Sequence, residues 1–171
     1  MTALRIAALA LAALAALGGC QRQADNRPTE LSGRFVVFNY RISQASFLVT
    51  LRKTAPIPDG TVAIAEFDNP MGGDPVVVRE KIFAFWDKIS LQTPALHCVR
   101  KDRPYAVTVR LEDTAGKTIQ SLKTEVKADM DQSTALAAKP LIVGPLYTEN
   151  PDVFKPGEKP DFSPEPACPA A

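Results

Sequence analysis

The sequence predicts an all-β protein, a single antiparallel β-sandwich of about seven strands. Three observations predict it. Apolar and polar residues alternate in one short run after another, the period of a strand with one face buried and one wet. Clusters of Pro, Gly, Asp and Asn fall between the runs. No stretch between residues 31 and 144 sustains the 3.6-residue period that a helix of several turns needs.

The runs can be taken in order. From Gly33 to Ile42, the residues Val36, Phe38, Tyr40 and Ile42 share one side. From Ser46 to Lys53, Phe47, Val49 and Leu51 do the same. Thr61 to Phe67 is a strand opened by the turn sequence Pro56-Ile-Pro-Asp-Gly60. Pro75 to Phe85 is another, rich in Val and Ile, and the breaker Asp68-Asn-Pro-Met-Gly-Gly-Asp-Pro75 separates the two. In the second, Phe83 and Phe85 share a face expected to enter the core, which leaves Trp86 on the other side, either buried against the tail or exposed as a candidate partner contact. A short helical turn is expected near Pro94 to Val99. The clearest strand is Tyr105 to Glu112, where Tyr105, Val107, Val109 and Leu111 alternate with polar or small neighbours. Asp113-Thr-Ala-Gly116 then reads as a turn, with Lys117 to Val126 as the returning strand of a hairpin. Thr134 to Ala138 holds one helical turn at most. Strands at this spacing fit an antiparallel sandwich or barrel.

Both ends differ from this middle. Gln21 to Glu30 is polar and aperiodic, so residues 20–30 read as a flexible tether spanning about 20 Å by coil statistics. Residues 145–171 form a tail with prolines at 145, 151, 156, 160, 164, 166 and 169. Such a tail is expected to be extended or disordered and not to pair in a sheet.

The most specific motif lies at the start. One positive charge, Arg5, precedes an apolar run from Ile6 to Leu17, the order of a secretory signal peptide over residues 1–19. The run is shorter than the roughly 20 apolar residues a membrane-spanning helix requires. Leu17-Gly18-Gly19-Cys20 resembles the lipobox of bacterial lipoproteins. The resemblance implies diacylglyceryl transfer to the Cys20 thiol, cleavage before it and acylation of the new amino group. A thiolate is the nucleophile this chemistry needs, and the small residues let an extended backbone enter the peptidase. Several acyl chains exceed the two-signal requirement for stable attachment to a lipid bilayer. Gln21, in place of the Asp that retains Gram-negative lipoproteins in the inner membrane, implies sorting to the outer membrane, facing the periplasm. The alternative is an ordinary secretory signal followed by a chance cysteine.

Removal of residues 1–19 takes away Arg5 and leaves nineteen basic against nineteen acidic side chains. A neutral domain has no global field to gather nucleic acid, so that partner class is not expected. Of the remaining cysteines, Cys98 and Cys168 are an even pair in an oxidising compartment, and a disulfide is expected. It would close a loop of about seventy residues and contribute roughly 4 kcal/mol in the chain-entropy model. The alternative is a buried Cys98 with an idle thiol on the tail.

Catalytic and metal signals are weak. His97 is the sole histidine, which is too few for a His-based metal site. Glu66 and Asp68 lie two apart on one strand face, where ordinary solvated charge is the simpler reading. Gly72-Gly73 with Asp68 and Asp74 offers too few oxygen ligands for calcium and reads as a turn. Nucleophile elbows, zinc-binding helices and phosphate loops are absent from the sequence. No catalytic residue, metal or cofactor is therefore assigned.

A strand ending in Tyr40-Arg41, the turn Ala55 to Gly60, the strand Val62-Ala-Ile-Ala-Glu-Phe-Asp68 and then Tyr105-Ala-Val-Thr-Val together resemble the pilotin-like lipoproteins of the YscW/YbaY type over residues 33–125. The resemblance implies a small sandwich behind a lipobox and an escort role toward an envelope protein. Ser46 to Lys53 and the long tail depart from that pattern. The expected function is thus a membrane-anchored, non-enzymatic binding or assembly-escort module. Alternatives are an envelope hydrolase, for which His97 should converge with Glu66, Asp68 or Ser90, and a structural protein or secreted-enzyme inhibitor, for which the Pro-rich tail or the Cys98 region should present a rigid protruding loop.

Overall fold

The computed structural model describes residues 27–159 and 168–169. The signal peptide, Leu17, Gly18, Gly19, Cys20 and Gln21 lie outside the described residues. Seven strands form two antiparallel sheets: β1 (Thr29–Asn39), β2 (Gln44–Lys53), β3 (Val62–Phe67), β4 (Val76–Lys81), β5 (Lys88–Gln92), β6 (Pro104–Glu112) and β7 (Thr118–Lys127). One sheet runs β1-β2-β5 and the other β4-β3-β6-β7. Beyond them come a single helical turn, α1 (Gln132–Ala135), and a small hairpin of β8 (Ile142–Val143) with β9 (Thr148–Glu149). The all-β sandwich expected from alternation is the fold. Among the described residues, no helix is long and apolar enough to cross a membrane.

The core lies between the sheets and is built from the alternating positions. Phe47, Val49 and Leu51 of β2 face Ala63, Ala65 and Phe67 of β3 and Tyr105, Val107, Val109 and Leu111 of β6, all fully buried. Phe47 anchors the centre, its ring 4.8 Å from that of Tyr105 and 6.3 Å from that of Phe67. The buried Tyr105 hydroxyl is not wasted, since it accepts the backbone N–H of Arg100 at 2.7 Å. Opposite residues of an antiparallel pair share a face, so Val36 and Phe38, opposite Phe47 and Ala45, also pack inward.

The β6–β7 hairpin closes at Asp113–Gly116, where the Asp113 carboxylate accepts the N–H groups of Ala115 and Lys117. Gly116 takes φ +77°, a left-handed conformation that costs glycine nothing. The sheets are joined along one edge by buried polar contacts. The Gln120 side chain accepts from the Thr29 N–H and hydroxyl and donates to the Thr29 carbonyl.

Four sequence expectations are corrected. The strand expected to reach Phe85 ends at Lys81, and Phe83 and Phe85 are exposed, not in the core. The segment Pro94 to Val99 forms no helix; Leu96 bridges to Ala45 as an extension of the sheet. The tether does not extend through Glu30, because Thr29 and Glu30 already pair with Lys53 and Arg52. The tail does pair: Thr148 and Glu149 form a ladder with Ile142 and Val143, a stretch between prolines that retains its N–H donors. β5 was not identifiable by its own alternation, since it offers only Ile89 and Leu91 to the core.

Candidate functional site

The sandwich has two dissimilar ends. At one, which we call proximal, the chain enters: the Pro28 carbonyl accepts the N–H groups of Thr54 and Ala55, and Thr29 begins β1. The turn between β4 and β5 and the β6–β7 turn lie at this same end, because Lys81 and Glu112 flank Val62 in register. The distal end holds the β1–β2 turn, the β3–β4 loop, the β5–β6 connection and everything after β7.

A chain of local bonds organises the distal end. Gln132 is buried, and its side-chain amide accepts from the Val99 N–H at 3.1 Å and donates to the Leu96 carbonyl at 3.1 Å. Its own N–H donates to the Val99 carbonyl at 2.9 Å. These three bonds bracket Cys98, which is held at φ +64° and is disulfide-bonded to Cys168 across a separation of 70 residues. The tail end is further fixed where Arg100 donates to the Pro169 carbonyl at 2.9 Å. The expected bridge is thus present, and it returns Cys168 to the sandwich.

Beside the bridge is a cleft of about 160 Å³ whose walls include Ser43, His97, Arg100, Asp131 and Leu136. It gathers the sole imidazole, the hydroxyls of Ser43 and Ser133 and the Asp131 carboxylate. Ser43 donates its hydroxyl to the Lys139 carbonyl at 2.7 Å, and Asp131 accepts the Lys101 N–H at 2.9 Å. The residues named for a hydrolytic site do not converge with His97. Glu66 is bound by Arg110 at 2.6 Å, and Asp68 accepts the Ala106 N–H at 2.9 Å. Arg110, whose pKa is raised first by its hydrogen bond to Glu66 and then by that to Glu112, explains why Glu66 sits on this face. Ser90 is on β5, exposed beside Phe85 and Trp86 at the proximal side. Gly72 and Gly73 form a left-handed turn, and no cluster able to hold a metal exists among the described residues.

Two exposed apolar clusters stand out. The distal one joins Tyr40 and Ile42 of the β1–β2 turn to the β8–β9 hairpin, where Leu146 is 87% and Tyr147 67% exposed. The hairpin is strapped to the sandwich: Leu141 and Ile142 donate to the Arg41 carbonyl, and the buried Asn150 donates from its side chain to Pro140. No sequence signal marked Gln132 or Asn150, which act through backbone groups distant in the chain. The proximal cluster is Phe83, Phe85 and Trp86. Trp86 is half-buried against Phe83, with ring centroids 5.0 Å apart, whereas Phe83 and Phe85, expected in the core, are exposed.

No protein-family model and no characterised protein matches the sequence. A solved structure similar to part of it is the Pseudomonas fluorescens alkylpurine DNA glycosylase AlkC bound to DNA containing an abasic site analog. It is 19% identical over 59% of this chain and 31% of that one, with a TM-score of 0.29. A likeness of that extent carries no argument about fold or function.

Proposed function

We propose that the chain is a membrane-anchored envelope lipoprotein, held by acylated Cys20 in the outer membrane, that binds or escorts an envelope protein without catalysing a reaction. The observation that carries this reading is the polarity of the domain. The chain enters at one end, and the rigidly strapped apolar hairpin with Leu146 and Tyr147 projects from the other. An anchored module that holds a partner needs that separation, because its binding end must face away from the lipid.

A photo-reactive side chain at Tyr147, compared with one at Val77 on the exposed edge strand, tests the reading in the host. A discrete adduct to one envelope protein from Tyr147 alone, lost on Leu146→Asp, is the expected result. Absence of any adduct, together with a hydrolytic activity lost on His97→Ala, would overturn it. The protruding hairpin also favours a second reading as an inhibitor of a secreted enzyme. Capture of an enzyme whose turnover falls on binding would select that reading.

A further inference from the structure

We infer that the turn Phe83-Ala-Phe-Trp86 is a second, non-covalent membrane contact that seats the proximal end in the headgroup layer; this rests on the proposed anchor at Cys20.

Position argues for it. Thr29 pairs with Lys53, and Arg52 with Lys88, in adjacent ladders of one sheet. The first residue of β1 and the first of β5 are therefore two strand spacings apart, about 10 Å. The turn immediately before Lys88 is bonded to the same end, since Lys53 donates its N–H to the Asp87 carbonyl and its ammonium to the Ala84 carbonyl. Arg27 lies seven positions after Cys20. A chain of that length reaches at most about 25 Å fully extended. An acylated Cys20 would thus keep this end of the sandwich within about 25 Å of the bilayer surface.

Chemistry fits the location. Phe85 is 79% and Phe83 41% exposed, an aromatic cost in water that a headgroup layer removes. Tryptophan beside phenylalanine is the composition of interfacial anchors. Lysines ring the turn: Lys81 lies 5.7 Å from the Phe83 ring centroid, Lys53 holds Ala84, and Lys88 follows. Asp87 and Glu80 are the acidic neighbours in the flanking sequence. Three ammonium groups suit phosphate-bearing lipid.

Trp86 is the sole tryptophan in the chain, so its fluorescence reports on this turn alone. The acylated full-length mature protein is reconstituted into phosphatidylethanolamine and phosphatidylglycerol vesicles, with and without brominated acyl chains. Emission should shift to shorter wavelength and be quenched by the brominated lipid, and Phe85→Ser should abolish the quenching while the protein still floats with the vesicles. Acylated protein that floats but shows equal emission in both vesicles would overturn the inference. So would a dimer in vesicle-free solution that Phe85→Ser dissociates, which assigns the turn to a second copy. The mass of the N-terminal peptide reads the anchor separately. Were Cys20 unmodified, the anchor would fall, and quenching of that same chain at saturating vesicles would still decide the turn.

Discussion

Gln132 shows how much of the distal end hangs on one side chain. Its amide and backbone make three bonds to Leu96 and Val99. Gln132→Leu keeps the volume and leaves a buried N–H and a buried carbonyl without those partners. A buried polar group left unpaired costs about 1–3 kcal/mol. Urea unfolding should therefore show a loss of roughly 2 kcal/mol or more for this variant. Phe47 carries a different kind of load, filling the centre between Tyr105 and Phe67. Phe47→Ala should cost about 3–5 kcal/mol in the same measurement, through lost transfer energy and an unfilled cavity. The two are easily told apart in the sequence: Phe47 stands in a strand alternation, whereas Gln132 stands in a polar stretch with no period at all.

Among the elements, legibility followed the number of inward positions. β2, β3 and β6 each place three or four buried residues on alternate sites, and each was identifiable from sequence. β5 places only two and was missed. The error at Phe83 and Phe85 has a related cause, because the alternation of β4 runs on past Lys81 although the pairing with β3 stops at Val62. Two-residue spacing sets a common face only while a strand lasts. The β6–β7 turn was legible because its chemistry is local, and it supplies a prediction at this scale. Gly116→Val forces a β-branched side chain into φ +77° and should destabilise the hairpin by more than about 1 kcal/mol, measured by thermal unfolding. Of the site, the cysteine pair was legible from parity and the expected compartment, while the strapped hairpin and the Gln132 bracket depend on contacts between residues from ten to about a hundred positions apart.

At the scale of the whole molecule the disulfide links the sandwich to the tail, and its removal should be felt globally. Cys98→Ser with Cys168→Ser should lower stability by up to about 4 kcal/mol on the chain-entropy account, read as a fall in the urea midpoint. The distal apolar residues behave in the opposite way. Leu146→Asp and Tyr147→Asp, both at exposed positions, should leave stability within about 0.5 kcal/mol and abolish only partner capture. The double reading of one preparation, stability unchanged and capture lost, separates a binding surface from a structural one.

The Gln120–Thr29 contact has a mechanical side. A partner held at the distal end, with the chain tethered at Pro28, would stretch the domain along its strands. Tension on β1 would then run parallel to its axis, and the β1–β2 ladder, which reaches from Thr29 to Asn39, would be loaded in shear with all its bonds sharing the force. The Gln120 amide, gripping Thr29 by three bonds, sits where that force enters. A hairpin whose two strands are pulled apart at its open end would release one bond at a time; loading in shear would instead let the sandwich resist tension without unzipping.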